Sequence, residues 1–235
     1  MWTRELLKTN AKTVLARSYW RTFLVCLAAS VLTGKANDEF TIHLDEEHLD
    51  GLLGFLARTA ALVAMLAALA WTIFGANVLI VGWKRYMMEN RLGDSPFDTL
   101  FSAFGGPHYT NVVKGMLWMN VKIFLYSLLF VVPGIIKSYE YYFVPYLLAE
   151  NPQMSHERAM SLSTWMTEGE KMNIFVLELS FIGWHLLGAL AFGIGNFFVI
   201  PYEEATKAEL YAAMRAKAFH LGLTDEVELG GFIRY

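Results

Sequence analysis

Four side chains stand where an apolar chain needs a reason to keep them. Lys122 and Glu178 each lie about two turns inside a long apolar run, Asn77 lies a similar distance from the end of another, and His185 follows Glu178 by seven residues. An unpaired charge at bilayer depth costs at least about 2.5 kcal/mol on insertion scales, so such groups are paired or functional. Counted from the cytoplasmic ends of their helices, Lys122, Glu178 and Asn77 share a depth of about 10 Å, where Lys122 and Glu178 pair if their helices touch. Asn120 and Asn196 fall near the same layer. Such a layer is either a substrate or ion site or an interhelical clamp, and the clamp is the commoner use. Seven residues is two helical turns, which puts Glu178 and His185 on one face. A proton relay is one outcome there, a simply hydrogen-bonded histidine the commoner one.

Other chemistry has thinner support. His43-Leu44-Asp45-Glu46-Glu47-His48 offers imidazole and carboxylate donors, making His43 and His48 weak candidates for a divalent metal. Their spacing is not that of HExxH, whose histidines share one helical face. The chain has no Gly-rich phosphate loop, nucleophile elbow or Cys/His zinc spacing, so no cofactor and no catalytic residue is expected. Tyr139, Tyr141, Tyr142 and Tyr146, with Trp118 and Trp184, fit an interfacial belt better than an active site. Arg58 fits a snorkelling anchor.

The elements that position these groups are membrane helices. Of 235 residues 55% are hydrophobic and 17% charged, against about a quarter charged in soluble domains, and the apolar blocks are too long for ordinary core helices. A net charge of -3, with Lys and Arg at the ends of apolar blocks and on no common face, excludes a nucleic-acid partner. The single cysteine, Cys26, excludes an intrachain disulfide. The basic start carries Glu5 and no small-x-small cleavage site follows the first apolar run, which favours a retained anchor over a cleaved leader.

In chain order, 3–19 predicts an amphipathic interfacial helix capped by Thr3, and 20–33 a short first span. Residues 35–50 form an acidic external loop. A long second span covers 52–83, with Ala60, Ala64 and Ala68 making a thin face, and Lys84, Arg85 and Arg91 mark the cytoplasm. Residues 94–104 predict a further interfacial helix, 115–132 a third span, 138–148 a short fourth, and 155–171 another amphipathic helix. The block 172–202 is too long for one span and too short for two, so it breaks at Gly193-Ile194-Gly195 and ends at Pro201-Tyr202. A polar helix to 219 and an irregular tail over 221–235 follow.

The expected whole is all-α, one membrane domain over 1–220, with about six segments, some short or re-entrant. They form three hairpins (20–104, 115–171 and 172–220 with their polar helices), each followed by a cytoplasmic interfacial helix. The second and third copies share a Gly-Ile break and a Pro-Tyr exit: Gly134-Ile135, after Pro133, with Pro145-Tyr146, and Gly193-Ile194, before Gly195, with Pro201-Tyr202. Such repeats mark transporters or pseudo-symmetric scaffolds. Fifteen of the 19 Lys and Arg residues fall on the side of the N-terminus, with Lys35 and Lys137 outside, which favours both termini in the cytoplasm.

The chain resembles a large family of uncharacterised bacterial integral membrane proteins of unknown function. The resemblance rests on Pro133-Gly134-Ile135-Ile136-Lys137, the Tyr139–Tyr142 run, Pro145-Tyr146, Asn151-Pro152, Leu179 to Trp184, Gly193-Ile194-Gly195, and Pro201-Tyr202 through Thr206, Glu209 and Tyr211. Glu150, where the family usually has Asp, and the acidic 167–170 stretch depart from it. The family is distantly similar to the non-catalytic membrane domain attached to some glycerophosphodiester phosphodiesterases. Two functions are in view: a non-enzymatic scaffold or accessory protein of the cell membrane that binds lipid, a membrane partner or a second copy; and a small transporter using broken helices and a Lys-Glu layer.

Overall fold

The computed structural model describes residues 2–34, 52–190 and 194–230. The acidic segment with His43 and His48, and Gly193 of the third break, lie outside the described residues. Among the described residues the fold is all-helical, without strands. Three helical stretches are long and apolar enough to cross a membrane: Gly54–Leu92, Tyr109–Leu129 and Lys171–Leu190.

α1 (Arg4–Leu32) joins the expected interfacial helix and first span into one helix with a kink at Ser18. The Thr3 side chain caps it by accepting from the Leu6 amide at 3.2 Å. The kink has a local cause. Ser18 Oγ donates back to the Val14 carbonyl at 3.2 Å, a bond that bends helices. Asn90 then donates to both Ser18 and Thr22 hydroxyls, at 3.0 and 3.1 Å, and clamps the next helix onto the bend.

α2 (Leu52–Trp71) passes through a π-helical turn, Thr72–Ala76, into α3 (Asn77–Leu92), so the second helix does not stop at Trp83. At the π turn the Trp71 ring lies across Gly75, where a Cβ would come 2.5 Å from ring carbon Cε3. Trp71 Nε1 also donates to the Leu32 carbonyl at 3.0 Å, fixing the top of α1. The 94–104 segment is a single 3-10 turn, Phe97–Phe101, and not a helix of interfacial length. Its physical reason is docking: the Leu100 backbone crosses directly over Gly82, leaving no room for a side chain.

α4 (Tyr109–Leu129) ends at an extended Phe130, and α5 (Val131–Glu140) returns from there. The turn therefore precedes Pro133-Gly134, which sit in the first turn of α5, where a missing N–H costs nothing. Gly134 is needed for closeness, since a Cβ would lie 2.8 Å from Ser127 Cα. The expected 138–148 segment is broken at 141–143. α6 (Val144–Glu150) starts there with Pro145 in its first turn, so Pro145-Tyr146 opens a helix where an exit was expected. α7 (His156–Thr167), capped by Ser155, and α8 (Lys171–Leu190) follow. α9 (Ile194–His220) runs unbroken through Pro201, which ends nothing. Gly195 and Gly188 let α8 and α9 meet backbone to backbone, a Cβ on Gly195 falling 2.6 Å from Gly188 Cα.

Two regions differ in burial. Parts of α1, α3, α4, α6, α7, α8 and α9 form a close core around Trp83, Tyr86, Phe143, Tyr146, Leu147 and Leu148. The apolar ends Leu128–Val132 and Leu186, Leu187, Leu190 and Ile194 are exposed, as is almost all of α2 from Phe55 to Trp71. The described part of the tail, 221–230, holds only turns and bends, as expected, but it is docked on the bundle. Arg158 holds Glu228 by two bonds, at 2.5 and 2.7 Å, and Leu229 is fully buried.

Candidate functional site

α4 and α8 do not bring Lys122 and Glu178 into an ion pair. Lys122 is half-buried on α4, whereas Glu178 Oε2 accepts from Tyr139 Oη of α5 at 2.6 Å. Asn77 is buried on α3, and its Oδ1 accepts from Asn120 Nδ2 of α4 at 3.2 Å. His185 does not continue to Glu178 but meets Glu203 Oε2 through Nε2 at 2.8 Å, joining α8 to α9.

The charged centre of the bundle is built from other residues. Lys84 of α3 pairs with Glu204 of α9 in the core, both nearly inaccessible. Lys207, one turn further along α9, reaches Glu203 at 2.7 Å and Glu204 at 3.3 Å. The two carboxylates offset the two ammoniums, which is what makes their burial tolerable. Burial opposes the charge on Lys207, but Glu204 and Glu203 outweigh it and hold the ammonium well above its ordinary range. Burial likewise pushes the Glu203 carboxyl up, and Lys207 outweighs that to hold it below the usual carboxylate range. Tyr142 and Tyr146 bring two buried hydroxyls without a hydrogen-bond partner to the same centre, where Glu203 and Glu204 are among their charged neighbours. With His185 on Glu203, the arrangement can fix α3, α8 and α9 against one another.

Sequence reasoning missed this centre for an identifiable reason. Lys84 follows an apolar run and reads as a cytoplasmic flank, and Glu203, Glu204 and Lys207 follow Pro201-Tyr202, read as an exit into water. The available signal was spacing. Glu203 and Glu204 stand four and three residues before Lys207, as ion pairs on one helix do, and the polar face they make runs straight on from an apolar one.

A second ionic centre lies at the ends of α3, α6 and α9. Glu150, the position that departs from the resembling family, accepts from Tyr211 Oη at 2.7 Å and from Arg215 Nε at 2.8 Å. Arg91 meets Glu209 at 2.8 Å beside it, and a cavity of about 170 Å³ lies between Arg91, Glu150 and Arg215. Lys137, expected outside, meets Glu140 at 2.5 Å, and Lys171 reaches the other oxygen of the same carboxylate at 3.1 Å. Lys137 and Lys171 thus lie on one level, not on opposite faces. At ten residues, α5 returns only about 15 Å, half a bilayer.

Among the described residues no group of three His, Cys, Asp or Glu side chains has metal-holding geometry. The structural glycines and prolines, Pro133, Gly134, Gly195 and Pro201, serve close helix approach or lie within helices, and Tyr202 packs edge-on against Phe181 at 5.4 Å between ring centres. No curated protein and no solved structure matches the chain. The family described as "Protein of unknown function (DUF975)" matches residues 54–218, from α2 to near the end of α9, and the chain belongs to that family.

Proposed function

We propose that the protein is a multi-pass bacterial cell-membrane protein acting as a non-enzymatic scaffold or accessory, binding lipid or a membrane partner, with both termini cytoplasmic. The observation that carries this reading is the mutual satisfaction of the buried charges. Lys84, Lys207, Glu203, Glu204 and His185 are engaged with one another across three helices, as in a clamp. The large apolar surface faces outward, as lipid-facing surface does. The apolar hairpin tip at Leu128–Val132 and the shortness of α5 favour a version of the six-segment plan in which the second hairpin re-enters the membrane. The distant likeness to the membrane domain of glycerophosphodiester phosphodiesterases belongs to this proposal as a non-catalytic likeness. The test is purified protein in proteoliposomes containing a photoactivatable phospholipid. Cross-links to the outward apolar surface with no headgroup release are expected, and sustained headgroup release would overturn the reading.

A transporter is the second reading, favoured by one observation: the unpartnered hydroxyls of Tyr142 and Tyr146 beside the Lys-Glu centre. It requires ion or solute flux in the same vesicles, lost on Glu204→Gln.

A further inference from the structure

The cavity of about 170 Å³ at the end of α3 is lined by Arg91 and Leu92 of α3, Glu150 of α6, and Ala208, Ala212 and Arg215 of α9. Two guanidiniums from different helices therefore open onto one space, with side chains 35% and 32% exposed. Each guanidinium carries five N–H donors. Glu150 takes Nε of Arg215, whose Nη2 donates to the Leu229 carbonyl. Glu209 lies 2.8 Å from Arg91 Nε, yet that buried nitrogen has no aligned hydrogen bond, so Arg91 is held by charge alone. Among the described residues both Nη groups of Arg91 and Nη1 of Arg215 have no partner, and none of the three is a buried atom. The oxygens that would repel an anion are covered. Glu150 accepts from Arg215 on one oxygen at 2.8 Å and from Tyr211 on the other at 2.7 Å, and Arg17 donates to the last carbonyls of α3, at Asn90 and Arg91. Arg17 has no carboxylate partner among the described residues, so three guanidiniums stand against two carboxylates here.

We propose that this cavity binds a terminal phosphate group, its oxygens shared between the Arg91 and Arg215 guanidiniums. Arginine forks match phosphate oxygens in geometry as well as charge, and two forks from opposite walls reach different oxygens of a tetrahedral anion. The excess of positive charge selects an anion over a neutral guest. Size selects a terminal group. The volume is below that of ordinary small-molecule sites, about 300–1,000 Å³, so the cavity admits a small oxyanion or the charged end of a longer molecule. A phosphodiester, substituted on both sides, enters less well. The phosphate has two sources, free phosphate or the headgroup of a phosphatidic acid. Leu92, 70% exposed on the cavity wall, offers an acyl chain apolar surface. The lipid source rests on the lipid-binding side of the function proposed above, whereas the phosphate site itself does not.

The test uses the delipidated full chain in detergent and phosphate-free buffer, with calorimetry for inorganic phosphate and native mass spectrometry for dioleoyl phosphatidic acid and dioleoyl phosphatidylglycerol. Saturable binding of one phosphate is expected, with phosphatidic acid favoured over phosphatidylglycerol by about tenfold and displaced by excess phosphate. Arg91→Gln should weaken binding by about tenfold or more, the worth of a charged hydrogen bond, and Arg91→Lys should recover only part, since it keeps the charge and loses the fork. Ala212→Leu fills the cavity and leaves every ion pair in place. Ala212 is only half-buried, so this variant should lose binding with an unchanged melting temperature. Phosphate binding without displacement of phosphatidic acid assigns the site to free phosphate and overturns the lipid source. Binding that survives both Arg91→Gln and Ala212→Leu overturns the site. No saturable binding of phosphate or phosphatidic acid overturns the proposal, while photo-cross-links on the outward apolar surface would still support the lipid-binding reading.

Discussion

Glu204 shows what a buried charge demands of its surroundings. It is 4% exposed, and Lys84 and Lys207 compensate it from two directions. Removing one member of such a set leaves the others uncompensated, which costs about 3–5 kcal/mol, whereas removing a pair together costs far less. Lys84→Met and Glu204→Gln should therefore each lower the melting temperature in detergent strongly, and the Lys84→Met/Glu204→Met double variant should recover most of the loss. Additive losses would show that the two residues act separately. Asn77 behaves differently because its bond to Asn120 joins neutral groups. Its replacement by Leu should cost about 1–2 kcal/mol at most, read from the same melts.

At the scale of the element, helix approach is set by glycine and by helix length. Gly134→Ala drives a methyl into Ser127 at the top of the second hairpin and should destabilise by about 1–3 kcal/mol, the usual range for overpacking. Ser127→Gly in the same chain should restore part of that, since the Ser127 side chain is half of the obstruction. The docked tail carries its own pH dependence. Hydrogen bonds from Arg158 hold Glu228 below its ordinary range, and they outweigh burial, which acts the other way. A depressed carboxylate stabilises the docked form above its unfolded pKa, and this contribution disappears as pH falls through the folded value. Amide hydrogen exchange over 221–230 should then rise on acidification below the ordinary glutamate range. Arg158→Gln should give fast exchange already at neutral pH and flatten the dependence.

The whole molecule combines a compact polar-cored body with apolar helix ends that have no protein around them. Sidedness follows from how these parts meet the bilayer. Cysteines placed at Glu5 and Val227, both exposed, should react with an impermeant maleimide in inverted membrane vesicles and not in intact cells. Cys26 gives no background because it is 1% exposed. A cysteine at Val131, 71% exposed in the apolar tip, should resist labelling from both sides if the hairpin re-enters the membrane. Labelling of that site in intact cells would make the hairpin a full crossing with an external turn.

Much of the architecture was legible from composition and periodicity. Long apolar blocks in a chain only 17% charged dictate helices, because backbone groups in hydrocarbon must bond within their own segment. Thr3 announced its helix as a cap, whereas depth along two spans put Asn77 and Asn120 near one layer without showing that they meet. Breaks were less legible. Proline was read as a stop at 133, 145 and 201, but a proline in a first turn or braced by neighbouring helices is compatible with continuation, and only packing shows which applies. The charged centre was hidden for a related reason. Whether Lys84 points into water or onto Glu204 depends on how α3 and α9 pack across the bundle, a long-range contact that no local pattern encodes. By itself the sequence determined that this is an all-α protein with membrane-length helices and a few polar groups at depth. Tertiary structure alone decided which of those groups meet, because pairing a buried charge depends on the positions of helices more than a hundred residues apart in the chain.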